Sequence, residues 1–215
     1  MNTAPPAAFK PRRGRPTADQ AAAIDQAILS AARKLFFADG FDAVSMEGVA
    51  TATGISKGTL YARHSSKEAL LTAVIEDSIQ TWSLIYSVND HLLKDSIEER
   101  LRHHGRTIAQ SLLEPDVRAL MRLLIGCNDR FPTFSRTIHD LGFAYIVNLV
   151  AGDITAAAQR DGIAARDPLS VARMFVSGIF GWQFQEGSAR HVTTVEREAM
   201  VDRFVALFMA ARPDW

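Results

Sequence analysis

The stretch VSMEGVATATGISKGTLYARHSSKEAL, Val44 to Leu70, sets out polar groups that suit a polyanion better than they suit bond-making chemistry. Ser45 and Ser56 stand where short helices would begin, and a hydroxyl beside free backbone N–H groups suits a phosphate. Lys57 and Lys67 can neutralise phosphates, and Arg63 can reach a phosphate or a guanine edge. Thr59 offers a hydroxyl and a methyl, the methyl suited to thymine. Gly58 leaves no side chain between its helix and a sugar-phosphate wall, and Tyr61 can pack its ring while presenting its hydroxyl. Upstream, PRRGRP (residues 11–16) places Arg12, Arg13 and Arg15 around one glycine.

Other chemistries find little support. There is no nucleophile elbow, no phosphate-cradling glycine loop and no cysteine pair for zinc, since Cys127 is the only cysteine. The six histidines (His64, His91, His103, His104, His139, His191) include no i,i+4 pair, and His103 and His104 point to different helix faces. No metal, cofactor or enzymatic activity is expected. Cys127 reads as a packed thiol, with a redox sensor as the lesser alternative.

Composition sets the frame. A chain of 215 residues, 47% hydrophobic and 22% charged, is globular. A lone cysteine fits a reducing interior, and the N-terminus lacks the apolar core of a signal peptide. The longest uncharged apolar runs, Met174 to Gln185 among them, are too short to span a bilayer, so a cytoplasmic protein without membrane contact is expected. Net charge is zero, but residues 1–70 hold nine Lys or Arg against six Asp or Glu, leaving the remainder mildly acidic. That asymmetry hints that the N-terminal end meets a polyanion.

The elements that must position these groups are all helical, about nine in number. Residues 1–16 read as a basic arm. Thr17 and Gln20 form a capping box opening a helix with Ile24, Ile28, Ala31 and Leu35 on one face, stopped by Gly40. Ser45 caps a helix over 46–52, Gly54 supplies the turn, and Ser56 caps a helix to Arg63. Gly48 inside the first of these lowers its helicity. Ser65 with Glu68 forms a second box for a long helix to Val88. Asp95 or Ser96 starts a helix to Leu113, and Pro115 opens one to Ile125. After a loop over 128–132, helices are expected at 133–161, 168–186 and 194–211, with Gly187-Ser188 as a break. No strand pair is evident.

Spacing alone leaves two readings of residues 44–70 open: a solvated pair of capped helices, or a helix-turn-helix whose second helix enters a major groove. Residues 24–75 resemble the DNA-binding domain of the TetR family of bacterial transcriptional regulators. The resemblance lies in AARKLFFADGF, Ser45 at a usual Thr position, Val49-Ala50, TGISKGTLY and SKEALL. It departs after Tyr61, where Ala62-Arg63-His64 replaces a more aromatic tripeptide and His64 stands where a Phe usually packs. His64 is expected to pack in that place, with a sensor role as the lesser alternative.

The resemblance implies a helix-turn-helix domain over 17–70, followed over 71–215 by a helical domain for effector binding and dimerisation. It implies a homodimer on palindromic double-stranded operator DNA, acting as a repressor relieved by a small molecule. The alternatives are an effector-independent architectural DNA binder using the basic arm, and an all-α enzyme. Arg13-Gly14-Arg15-Pro16 also resembles an AT-hook core, suggesting an auxiliary minor-groove arm beside the reading head, with a solvated tail as the alternative. For dimerisation the implied last two helices offer Phe175, Gly178, Ile179, Gly181, Trp182, Phe204, Leu207 and Phe208. For a hydrophobic or aromatic effector the large residues Trp82, Tyr86, Met121, Phe131, Phe134, Phe143, Tyr145 and Trp182, with Phe184, are candidates.

Overall fold

A computed structural model describes residues 17–88, 93, 95–127 and 130–215. The helices are α1 (Ala18–Ala43), α2 (Met46–Thr53), α3 (Lys57–Arg63), α4 (Lys67–Ser87), α5 (Ile97–Ser111) and α6 (Pro115–Cys127). Then come α7 (Pro132–Ile138), α8 (Ala144–Asp161), α9 (Pro168–Ala189) and α10 (Thr194–Ala210). A π-helical turn, His139–Phe143, joins α7 to α8 without a break, and a 3-10 turn, Arg212–Asp214, follows α10. Counting that continuous run once gives nine helical segments among the described residues, and no strand.

Local chemistry sets most of the ends. Thr17 and Gln20 make the reciprocal capping box, with hydrogen bonds of 3.1 and 3.3 Å. Gly40, at φ +80°, breaks the regular winding of α1, and one further turn carries Phe41 back into the core. Ser66, not Ser65, caps α4: its Oγ accepts from the Ala69 N–H at 3.1 Å. Ser96 settles the alternative for α5 by accepting from the Glu99 N–H. Gly187-Ser188 does not break α9, which continues to Ala189.

Two buried cores organise the chain. The first gathers Ile28 and Phe36 of α1, Val49, Leu60, and Leu70, Leu71, Val74 and Ile75 of α4. Leu120 and Leu123 of α6 and Phe134 and Ile138 of α7 complete it. The helix-turn-helix is thus welded to α6 and α7 by continuous apolar packing. The second core joins Leu101 and Ile108, Val147, Val150 and Ile154, Phe175 and Ile179, and Val201 and Val205.

Among the described residues one helical segment, Pro132–Asp161, is long and apolar enough to cross a membrane, although charges at Arg136, Asp140, Asp153 and Arg160 interrupt it. Its buried residues are shared between the two cores, Phe134 and Ile138 in the first and Val147, Val150 and Ile154 in the second. We place it as a core helix.

Candidate functional site

The turn between α2 and α3 is closed by Gly54 in the left-handed region (φ +70°), whose N–H donates to the Ala50 and Thr51 carbonyls. Ser45 Oγ accepts from the Gly48 N–H at 3.0 Å. A Cβ on residue 48 would sit 3.3 Å from that same oxygen, a close approach, yet Ser56, Ser66 and Ser96 make the same cap onto residues that carry a Cβ, so the cap does not require this glycine. On α3, Ser56 Oγ accepts from the Thr59 N–H at 3.1 Å and lies 2.8 Å from Thr59 Oγ1. Leu60 is fully buried and anchors the helix, while Ser56, Lys57, Gly58 and Tyr61 face outward.

Those outward groups are open to a ligand. A Cβ on Gly58 would approach nothing closer than Ser56 Oγ at 3.8 Å, so protein packing does not demand this glycine. Lys57 Nζ pairs with Glu47 Oε1 at 3.0 Å, with both side chains more than half exposed. Such a pair contributes little, so a phosphate can take the lysine from it. The hydrogen bond from Lys57 holds the Glu47 carboxyl below its usual range.

Arg63 and Lys67 are placed differently from the expectation that they meet phosphate. Arg63 Nη1 is bound to the Asp25 carboxylate and, at 3.2 Å, to the Ala21 carbonyl, and its side chain is only 20% exposed. It ties the end of α3 to the start of α1. Lys67 Nζ donates to the Phe41 carbonyl at 2.8 Å and the Val44 carbonyl at 2.9 Å, and lies 4.3 Å from the centre of the Phe41 ring. Its ammonium therefore closes the carbonyl end of α1, where helix acceptors otherwise lack partners. His64 is half-buried, with Nε2 shut from solvent and unpartnered. Burial is the main reason its pKa is lowered. Arg12, Arg13 and Arg15 lie outside the described residues, as does the side chain of Cys127.

Behind the helix-turn-helix lies a cavity of about 160 Å³ between α4, α5, α6, the π-helical turn, α8 and α9. Five of the expected effector residues line it: Trp82, Tyr86, Met121, Phe143 and Tyr145. Four do not. Phe131 and Phe134 pack on Phe41 at ring separations of 4.8 and 5.9 Å, so they join the helix-turn-helix to α7. Trp182 packs against the second core, and Phe184 is 55% exposed. Helical spacing carries no signal for which aromatic rings surround a void and which fill a core.

A polar assembly on this cavity is unheralded in the sequence. His104 stands in its wall, with Nε2 2.8 Å from Asp153 Oδ2, and Arg100 Nη1 holds Asp153 Oδ1 at 3.0 Å. The carboxylate orients the imidazole and the arginine compensates the carboxylate. Among the described residues no group of three or more His, Cys, Asp or Glu is placed to hold a metal.

The residues expected at a dimer interface divide. Phe175 and Ile179 are completely buried in the second core of one protomer. Gly178 serves internal packing, because a Cβ there would collide with the Phe204 ring. Trp182, Phe204 and Phe208 are half-buried against the same core. Gly181 meets nothing within 4 Å, and Leu207 is 63% exposed. The open face of α9 instead carries Met174, Ser177, Gly181 and Phe184 at helical spacing. The helix is apolar almost all round, so the pattern did not say which stripe turns inward.

The architecture defines an all-α chain with an N-terminal helix-turn-helix on a helical body. Residues 28–74 match the model for bacterial regulatory proteins of the tetR family. Residues 99–211 match the AefR-like transcriptional repressor C-terminal domain. The chain belongs to the TetR family. It is similar to the HTH-type transcriptional repressor ComR of Escherichia coli K12, with 31% identity over 57% of each chain. It is also similar to the regulator UidR of the same strain, with 48% identity over 22% of this chain and 24% of that protein. These alignments span little more than half of ComR and about a quarter of UidR. Among solved structures, a TetR-family regulator from Mesorhizobium loti MAFF303099 superposes with a TM-score of 0.75, at 26% identity over 89% of this chain and 98% of the other. The flavonoid-responsive regulator FrrA gives 0.70 at 25% identity, over 88% of this chain and 97% of its own.

Proposed function

We propose that the chain is a dimeric, sequence-specific DNA-binding regulator acting in the bacterial cytoplasm, a repressor that leaves its operator when a small apolar or aromatic molecule binds. The observation that carries this reading is the outward face of α3. Lys57, Gly58, Thr59 and Tyr61 are presented on a short helix capped by Ser56, fixed beneath by Leu60 and tied at its end by Arg63. A helix held that firmly enters a major groove without further ordering. Residues 1–16 act as an accessory arm in the neighbouring minor groove.

Two reading heads need a two-fold partner. Met174, Phe184 and Leu207 leave large apolar groups open on α9 and α10, and Gly181 allows a second backbone to come close. We assign this face to the dimer. The cavity behind the reader supports an effector role. Its apolar walls and size are comparable to a cavity of about 150 Å³ that binds benzene. The similarity to a flavonoid-responsive regulator points to the same aromatic class. Release of DNA requires that this molecule favour the state whose reading heads no longer match the operator.

Lys57→Ala and Tyr61→Ala are expected to abolish operator binding in gel-shift assays, with helicity and the sedimentation of the dimer unchanged. Retained affinity would remove α3 from the groove. Footprinting on the DNA flanking its own gene should protect one short palindrome. A uniform smear would favour an architectural binder instead.

A further inference from the structure

A second hollow, about 390 Å³ in volume, lies on the outer side of the effector cavity between the end of α4, the polar face of α5 and the start of α10. The two differ in chemistry. The inner cavity is apolar apart from His104 and a few hydroxyls, whereas the outer cleft carries Arg106, Arg197 and His103 against the single acid Glu198. Tyr86 and Thr107 stand in the walls of both, so the two hollows adjoin at these side chains.

Arg106 is the group in this cleft best placed to take an anion. It is 46% exposed and reaches Asp202 through Nη2 alone, at 3.2 and 3.3 Å. Asp202 has a second partner, Arg102 Nε at 3.0 Å, so it does not depend on Arg106. A guanidinium has five N–H donors, enough to keep Asp202 and donate to a further carboxylate. Arg197, by contrast, is spent on the Val192 carbonyl and the Thr194 hydroxyl. Burial, with the charge of Glu114 second, pushes the Tyr86 hydroxyl above its usual range, which keeps it a proton donor in the shared wall.

We infer that the effector is an aromatic carboxylate, its ring in the inner cavity and its acid group past Tyr86 against Arg106 in the outer cleft. This rests on the reading of the inner cavity as the effector site. It adds the polar half of the ligand and a residue that selects for it. A ring with no acid fills only the smaller hollow. A polar anion with no ring meets the cleft but lacks the apolar burial that holds it.

The test is calorimetric titration of the full-length protein with phenylalkanoates from phenylacetate to 6-phenylhexanoate, their primary amides, and the matching alkylbenzenes. At the chain length that spans the wall, the acid should bind at least about tenfold tighter than its amide. Arg106→Gln should bring that acid to the amide's affinity and leave the amide unchanged, and Arg106→Lys should restore part of the preference. Acids no tighter than amides at every length, with amides and alkylbenzenes still binding, would overturn this inference alone. Equal loss of acid and amide in Arg106→Gln would also overturn it, showing that Arg106 acts through the fold. If no compound binds, the inner cavity fails as an effector site and this inference falls with it.

Discussion

Replacing Lys67 by methionine separates two accounts of this residue. A phosphate ligand would leave the free protein untouched when removed, whereas a helix closure would not. The substitution keeps the aliphatic stem and removes the ammonium that bridges the carbonyls of Phe41 and Val44 at 2.8 and 2.9 Å. A third approach, to Asp42 at 3.5 Å, is too long to count. Hydrogen bonds to a charged group contribute about 1.5–3 kcal/mol each in favourable settings. Lys67 is partly open and water can reach the freed carbonyls, so about 0.5–1 kcal/mol apiece is the fitting value here. The ammonium over the Phe41 ring adds about 0.5 kcal/mol. The loss is then about 2 kcal/mol, which for a chain of this size lowers the melting temperature by about 4–8 °C. Thermal and urea unfolding followed by circular dichroism would read it. An unchanged midpoint, together with a salt slope of DNA binding reduced by about one, would refute the reasoning and restore Lys67 to the phosphates.

His64→Phe should stabilise the protein by about 1 kcal/mol, since it replaces an unpartnered buried nitrogen with carbon. Burial lowers the pKa of His64 in the folded chain, so as pH falls through about 6.5 the unfolded chain takes up the proton first and stability drops. The gap between variant and wild type in urea midpoint should therefore widen from pH 7.5 to 5.5; a constant gap would mean that His64 does not titrate differently on folding. Gly178→Ala forces a methyl against Phe204 and should cost about 1–3 kcal/mol, measured by urea unfolding. Leu207→Glu should leave the protomer folded and shift sedimentation to a monomer, whereas an intact dimer would remove α10 from the interface.

How much of this was legible in the sequence follows from how far apart the partners lie. Caps such as Thr17 with Gln20, and Ser45 and Ser56, act within one turn, and the residues that make them are adjacent in the chain. Where two serines adjoin, as at Ser65 and Ser66, pattern alone misses the cap by one position. Arg63 and Lys67 sit at positions suited to phosphate, yet Asp25 lies 38 residues from Arg63 and Phe41 lies 26 from Lys67. Only the fold brings those pairs together. Phe175 and Met174 are neighbours on one apolar helix, and nothing in their types says that the first is buried and the second exposed. The void behind Trp82 was half legible: its aromatic rings could be named, but rings that pack on Phe41 look the same in sequence.

The π-helical turn between α7 and α8 is, in mechanical terms, a phase shifter. The Ala144 N–H reaches back to the His139 carbonyl, so this stretch carries more residues per turn than the helix on either side. In an α-helix one residue amounts to about 100° of rotation. The wider turn changes the angular relation between the stripe that seats Phe134 and Ile138 beneath the reader and the stripe that seats Val147, Val150 and Ile154 in the body. One unbroken rod thereby meshes with two gears. Gly142 and Phe143, in the turn itself, line the inner cavity. On the proposed function, a molecule held in that cavity would touch the rod at the one turn where its winding is wider than in the α-helix on either side.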